Sequence, residues 1–237
     1  AFPGEVSADR DYVIRSTVLG VKNLSIAEIQ KHFSYQVYVE YGANAAGFGT
    51  VWRSKELKDA VYVIVTNNGV AGSIILNNEI YHGRTGRAGA FGHITLNPSG
   101  RKCFCGACGC WSAYNALNAL TGLDETDLDG FFEKVNNEDP DAIAKWDEYL
   151  TYFADGLSTV SMSFDIDIVI GGPLAVYLEP WLDTIISKMQ SRPTLNGENI
   201  SIHLDTKSES PMAEGVALMI VAKFLNDELD NFRFDEL

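Results

Sequence analysis

The chain has few basic residues, few cysteines and no long apolar run. Its 18 basic residues stand against 32 acidic ones, which gives a net charge of −14 over 237 residues. Such a surface repels phosphate backbones, so these residues are a poor nucleic-acid binder. No apolar run approaches the roughly 20 residues of a membrane span, and no cleavable signal pattern is present. We therefore expect no membrane contact, and no DNA contact through this part of the chain.

The remaining composition indicates a folded protein. Hydrophobic residues make up 46% and aromatic residues 11% of the sequence, which argues against disorder. This length suits one compact unit or two modest lobes around a shared cleft. The sequence opens with Ala1 and has no initial methionine, so we expect a fragment or a trimmed chain.

All the cysteines lie in one short glycine-rich stretch. They are Cys103, Cys105, Cys108 and Cys110, and His93 precedes them. Thiolates with a nearby imidazole suit a tetrahedral ion, for which zinc is the usual occupant, and one of the five candidates is then spare. Structural disulfides at this spacing would be strained, but they remain an alternative, as do free or redox-active thiols. Reduced, metal-ready cysteines fit a cytoplasmic protein.

The same stretch resembles the zinc signature of the ROK family. The pattern is Gly-His, six residues, Gly, two residues, Cys-x-Cys-Gly-x-x-Gly-Cys, and it begins at Gly92. That family groups bacterial sugar kinases with sugar-responsive transcriptional repressors. The resemblance implies that Cys108 is the spare cysteine. It implies that the zinc ligands are His93, Cys103, Cys105 and Cys110.

Four positions depart from the sugar-contacting residues of that family. They are Tyr41, Gly42, Ala90 and Ser112. Residues 40–44 resemble the motif Glu-Asn-Asp-Ala-Asn, whose aspartate is the general base of the family's kinases. Gly42 stands at that position and cannot accept a proton, so we predict no catalytic residue. The departures also remove most of the charge-assisted hydrogen bonds that hold a hexose. Asn44 and His93 are the ligand-binding residues that the resemblance retains.

Two further stretches resemble the nucleotide segments of actin-like kinases. Gly69 and Gly72 match glycines of the second phosphate segment, but the family's Gly-Thr-Gly run is replaced by Thr66-Asn67-Asn68. The strand that ends in Gly171-Gly172 resembles the adenosine-binding segment. A generic strand-to-helix turn is an equal interpretation, so ATP binding stays open.

Local patterns predict the secondary structure in some detail. Ser25 and Glu28 form a capping-box pattern for a short helix through His32. Asn77-Asn78 predicts a two-residue turn. Strands are expected at 37–39, 61–66, 72–76, 166–170 and 200–204. Helices are expected at 111–120, 128–135, 139–160, 174–189 and 212–229.

The resemblance implies an α/β protein with the actin-like ATPase (ribonuclease H-like) fold. It implies two lobes with a cleft and an incomplete first lobe. The first lobe is expected to comprise residues 1–44 plus 212–237, and the second lobe residues 45–211, with the zinc loop. An incomplete lobe should expose apolar surface, which predicts self-association as a homodimer.

These observations lead to one functional hypothesis with two alternatives. The chain resembles the effector-binding and oligomerisation domain of a ROK-type transcriptional regulator. Its effector would be a sugar or sugar phosphate, and DNA would be contacted only through a segment absent from this chain. The alternatives are a divergent ATP-dependent sugar kinase and a degenerate family member with a structural role.

Overall fold

The computed structural model describes residues 1–16, 18–54, 56–122, 127–197 and 199–231. The strands are β1 (Glu5–Val6), β2 (Tyr12–Ser16), β3 (Val21–Ser25), β4 (Ala60–Thr66), β5 (Gly69–Leu76), β6 (Glu79–Ile80), β7 (Asp167–Gly171) and β8 (Ile202–Asp205). The helices are α1 (Ile26–Gln30), α2 (Gly42–Arg53), α3 (Ser112–Asn115), α4 (Asn118–Thr121), α5 (Leu128–Asn136), α6 (Pro140–Phe164), α7 (Ala175–Leu178), α8 (Leu182–Gln190) and α9 (Pro211–Asn231). Two short 3-10 helices occur at Phe91–His93 and Glu179–Trp181.

The chain forms two compact units. The first contains Ala1–Lys58, Ile74–Ala88 and Ser208–Leu237, and the second contains Asp59–Ser73 and Gly89–Lys207. The first unit therefore includes all of α2. The reason is that α2 packs along α9.

Small residues bring α2 and α9 into backbone contact. A Cβ added at Gly49 would lie 2.9 Å from the Cα of Gly215, and one at Gly215 would lie 1.8 Å from the carbonyl oxygen of Ala45. Neither glycine can therefore carry a side chain without separating the helices. An ion pair of 2.7 Å between Arg53 and Glu214 joins the same two helices.

A small antiparallel sheet completes the first unit. Its strand order is β1-β2-β3, and Val6, Val13 and Ile26 form a buried cluster beside it. The predicted strand at 37–39 is wrong, because this extended stretch has no strand partner among the described residues. Its nearest backbone pairing is an isolated bridge between Phe2 and Tyr41.

A mostly parallel sheet forms the centre of the second unit. Its strands stand in the order β5-β4-β7-β8, with parallel pairing of β4 to β7 and of β7 to β8. The predicted strands at 61–66 and 166–170 are confirmed, and residues 60–65 are buried along their whole length. Continuous burial is typical of a strand covered on both faces. The buried hydroxyl of Tyr62 donates to Asp205 across this sheet at 3.2 Å.

Local capping signals correctly located several helix and turn boundaries. Ser25 caps α1 by accepting from the N–H of Ala27, and Asp139 caps α6 in front of Pro140. Asn77 and Asn78 both have positive φ, as a tight hairpin turn requires.

Two of the predicted helices are interrupted. Ala116 adopts an extended conformation that separates α3 from α4, and the N–H of Leu117 donates instead to the carbonyl of Thr66 at 3.0 Å. Between α7 and α8 the chain forms the 3-10 helix that contains Pro180. The predictions of one continuous helix at 111–120 and another at 174–189 are therefore wrong. A tertiary hydrogen bond interrupts the first, and a proline interrupts the second.

Within the part of the chain that the structure describes, none of the helices combines the length and the apolar character that crossing a bilayer requires.

Candidate metal and ligand sites

The cysteine loop folds back on itself through short backbone contacts. Lys102 forms an isolated antiparallel bridge with Cys108, and Thr95 forms one with Cys110. Gly109 lies at the closest point of this fold, with φ at +77°, and a Cβ there would lie 1.6 Å from the carbonyl oxygen of Asn97. A residue without a side chain is therefore required where the loop turns toward its last cysteine.

This fold brings four ligand atoms to one point. Each side chain offers one nitrogen or sulfur, and the four atoms all lie within 4.8 Å of one another. The Sγ atoms of Cys105 and Cys110 are 3.7 Å apart, and the Sγ of Cys103 is 3.9 Å from Nδ1 of His93. The group could hold one metal ion. Its members are His93, Cys103, Cys105 and Cys110.

The environment of the thiols shows what a metal would change. Burial raises the pKa of the Cys103 thiol and raises that of Cys110 to about 12. Burial also raises the pKa of Cys105, but hydrogen bonds from the Ala107 N–H and from Cys103 and Cys110 outweigh it and lower the value below the ordinary one. A cation would therefore be needed to keep both buried sulfurs as thiolates, which are the form that ligates a metal.

Cys108 does not belong to this group. It is exposed, whereas Cys103 and Cys110 are buried. Phe104, between the first two cysteines, is 53% exposed and packs edge-on against the His93 ring at 5.3 Å.

The other predicted ligand-binding residue, Asn44, lies in the first unit. It is 3% exposed in the first turn of α2, and its Nδ2 donates to Oε1 of Glu40 at 2.8 Å. Its buried Oδ1 has no hydrogen-bond partner among the described residues. His93, the second predicted ligand-binding residue, belongs to the second unit.

The four departures from the family's sugar residues differ in their surroundings. Burial raises the pKa of the half-buried Tyr41 phenol to about 12, and Ala90 is exposed. Gly42 begins α2, and a Cβ there would lie 2.8 Å from Sδ of Met212. Ser112 is buried, and its Oγ accepts from the N–H of Val70 at 3.0 Å. Gly42 and Ser112 therefore both belong to packed interior surroundings.

The second unit contains a cavity that the sequence did not predict, although sequence patterns pointed to two of the stretches around it. Its volume is about 400 Å³. The lining residues are Asn67, Asp127, Leu128, Asp129, Pro173, Val176 and Tyr177. Asn67 lies in one of the two stretches that resemble nucleotide segments, and Pro173 directly follows the other. The two aspartates carried no sequence signal for a site, because acidic residues are common throughout this chain.

The aspartates of this cavity already have partners. Asp127 caps α5 by accepting from the N–H of Gly130 at 2.8 Å, and Asp129 accepts from the Tyr177 hydroxyl at 2.5 Å. That hydrogen bond from Tyr177 to Asp129 raises the pKa of the phenol to about 12. The cavity thus presents negative charge and no basic side chain among its lining residues.

Comparison with known proteins places these features in one family. The sequence profile described as "ROK family" matches residues 1–215. A glucokinase of Halalkalibacterium halodurans is 30% identical over 107 residues, which are 44% of this chain and 32% of the glucokinase. A xylose repressor of Bacillus subtilis is 32% identical over 81 residues, which are 34% of this chain and 21% of the repressor. The chain thus spans a third or less of the length of these curated relatives.

A solved structure supports the fold. A ROK family glucokinase from Streptomyces griseus, in complex with glucose and AMPPNP, superposes with a TM-score of 0.80 at 23% identity and covers 92% of this chain and 78% of that chain. The predicted α/β, actin-like ATPase fold is thereby confirmed. The match over most of the sequence shows that the chain belongs to the ROK family.

Proposed function

We propose that this chain is the effector-binding and oligomerisation domain of a ROK-type transcriptional regulator that acts in the cytoplasm, is stabilised by zinc and lacks kinase activity. The family contains both regulators and kinases, so the choice between them depends on the chain's own residues. The observation that carries the proposal is the position of Gly42. The space beside it is occupied by Met212, and the first turn of α2 contains no acidic residue. Phosphoryl transfer to a sugar hydroxyl needs a base that orients and deprotonates that hydroxyl.

The nucleotide-like segments support the same conclusion. A Cβ at Gly69 would lie 2.7 Å from Oγ of Ser112, and one at Gly72 would lie 2.4 Å from the Phe91 ring. Close packing within the protein therefore accounts for both glycines. The nearby cavity presents Asp127 and Asp129, whose charge opposes a triphosphate.

Zinc is the metal that suits the loop best. With Zn–S bonds of about 2.3 Å, two thiolates on a tetrahedral ion lie about 3.8 Å apart. The Cys105–Cys110 separation of 3.7 Å matches this spacing. Three sulfurs and one imidazole nitrogen fill all four positions, so the ion would be structural. The charge of −14 further means that operator DNA would be contacted by other residues than these.

The first prediction concerns zinc content and stability. We expect one zinc per chain by elemental analysis, lost in His93→Ala and in Cys105→Ser. Each loss should lower Tm by about 10 °C, since several kcal/mol of stabilisation disappear from a chain of this size. Cys108→Ser is the matched control and should keep both zinc and Tm. A metal-free parent protein with an unchanged Tm would contradict the proposal.

The second prediction concerns the effector. We expect calorimetry to detect binding of one member of a panel of glucose, xylose, N-acetylated hexoses and their phosphates. Asn44→Ala should weaken that binding about tenfold, because a single buried hydrogen bond contributes roughly 1.4 kcal/mol. Asn136→Ala, an exposed change on α5, should leave the affinity unchanged. If every compound gives no heat and no thermal shift, the ligand-sensing part of the proposal is wrong.

The third prediction concerns catalysis. In a coupled assay with ATP and the same sugars, ADP release should stay at the level without protein. Gly42→Asp combined with Met212→Ala provides both a carboxylate and room for it, and activity should still be absent because the nucleotide segments are altered as well. Turnover in the parent protein that Asn44→Ala abolishes would instead establish a divergent sugar kinase.

The fourth prediction concerns self-association, which the surface of α9 favours. The helix contacts α2 through Gly215 and Met212, yet it also exposes apolar side chains away from that contact. These are Ile220, Val221, Phe224 and Leu225. A helix that is apolar on both sides is usually covered on both sides. We propose that a second copy covers this face in a homodimer.

Sedimentation velocity provides the measurement. The parent protein should sediment as a dimer, and Phe224→Glu should shift it to the monomer. Ile143→Glu replaces an apolar side chain of similar character on α6, where it is 43% exposed, and should keep the dimer. A monomeric parent at micromolar concentration would show that this face has no second copy as its partner.

A further inference from the structure

A buried carboxylate in the first unit gathers partners from three parts of the chain. Glu40 is 5% exposed and accepts hydrogen bonds from Nε of Arg10 at 3.0 Å, from the N–H of Tyr41 at 2.9 Å and from Nδ2 of Asn44 at 2.8 Å. The second guanidinium nitrogen of Arg10, Nη2, lies 2.6 Å from Nε2 of His82. The four side chains Arg10, Glu40, Asn44 and His82 form the Glu40 cluster.

The cluster joins two surface segments to the start of α2. Arg10 occupies the turn between β1 and β2, and its φ of +60° is a left-handed conformation that is costly for a residue with a side chain. His82 lies in the loop that follows β6. Arg10 thus adopts an unfavourable backbone conformation, and its contacts with Glu40 and His82 compensate for the free-energy cost.

The shorter of two contacts selects the tautomer of His82, since Nη2 of Arg10 lies 2.6 Å from Nε2 whereas Nδ2 of Asn44 lies 3.4 Å from Nδ1. Arg10 can only donate, so Nε2 of His82 must accept and cannot carry a proton. The proton of the neutral ring then sits on Nδ1, which is 3.9 Å from Oε1 of Glu40 and 3.4 Å from Nδ2 of Asn44. Because Nδ2 is a donor, Glu40 is the group that this Nδ1–H faces.

Protonation would reverse the contact with Arg10. A second proton on His82 would have to sit on Nε2, where it meets a guanidinium N–H at 2.6 Å. Two donors, each carrying positive charge, cannot keep that separation. Glu40 offsets part of the repulsion, but its oxygens are already shared by three donors.

We propose that His82 is a proton-sensitive latch, which holds the Arg10 turn and the loop after β6 together when it is neutral and releases them when it is protonated. The charged groups that face it are Arg10 and Glu40, while the α-amino group of Ala1 acts on Glu40. Burial lowers the pKa of His82, Glu40 raises it and Arg10 lowers it again, with a net fall below the ordinary value.

The sign of the pH dependence follows from that direction. A histidine with a lowered pKa binds fewer protons in the folded protein than in the unfolded chain. Its contribution to stability is therefore complete above the unfolded pKa of about 6.5 and is lost as the pH falls from there toward the folded pKa. Release should stay local, because the 82–88 loop keeps its ion pair of 2.8 Å between Arg87 and Glu5.

The latch also connects to the proposed function. Asn44 donates to the same Oε1 that His82 faces. If Asn44 binds the effector, as proposed above, acidification should weaken effector binding. This consequence depends on the proposed function, whereas the latch itself does not.

NMR titration of the full chain from pH 8 to pH 5.5, with zinc content measured at both ends, tests the latch. We expect the His82 ring to titrate below about 6.5, and Arg10→Gln should raise that pKa because it removes the cation. Once His82 is protonated, the protection factors for amide hydrogen exchange in residues 8–12 and 82–88 should fall at least tenfold.

Two variants separate the latch from simple packing. His82→Gln can accept from Arg10 without taking a proton, so it should keep slow exchange at both pH values. His82→Lys carries a permanent charge and should exchange rapidly at both. His32→Gln, a change at an exposed histidine, should behave like the parent protein. A His82 pKa of 6.5 or above that Arg10→Gln leaves unchanged, or exchange that ignores the charge at position 82, would overturn the proposal. Loss of effector binding would not affect this result.

Discussion

The second unit depends on the tight return of the cysteine loop. The backbone passes so close to Asn97 that no side chain fits at Gly109, and one residue later Cys110 enters the ligand group. The residue after that, Trp111, is fully buried and packs against Gly156 and Phe153 of the long helix α6. A candidate metal ligand and a core residue are therefore consecutive in the chain. A metal bound at this loop would hold one end of the segment on which the core is built.

Two of the positions that depart from the family's sugar motif lie in packed surroundings. Gly42 faces a thioether of α9, and the hydroxyl of Ser112 serves the backbone of Val70. Both positions are occupied by packing or internal hydrogen bonds. Asn44 differs, since one of its polar atoms is buried without a partner among the described residues. Such an atom costs free energy unless a water or a ligand satisfies it.

The Glu40 cluster explains why polar side chains are buried around Asn44. A carboxylate that is 5% exposed is stable as a charge only if donors surround it, and Arg10, the N–H of Tyr41 and Asn44 are those donors. The same arrangement favours the neutral form of His82. Regulation by a ligand and by protons would then act on one set of side chains, through the hydrogen bonds of Glu40.

The sequence alone determined those features whose chemistry is local. The spacing of His93 and the cysteines predicted the ligand group, the apolar run at 61–65 predicted a buried strand, and Asp139 with Pro140 located the start of α6. Each depends on residues close together in the chain, so a pattern can reveal it. Tertiary structure alone decided the break at Ala116, which a hydrogen bond to Thr66 imposes, and the absence of a strand at 37–39, which needs a partner strand. Only the tertiary structure brings Arg10, Glu40 and His82 together. Contacts between residues 30 or more positions apart leave no periodic signal, because only the folded backbone brings them within reach.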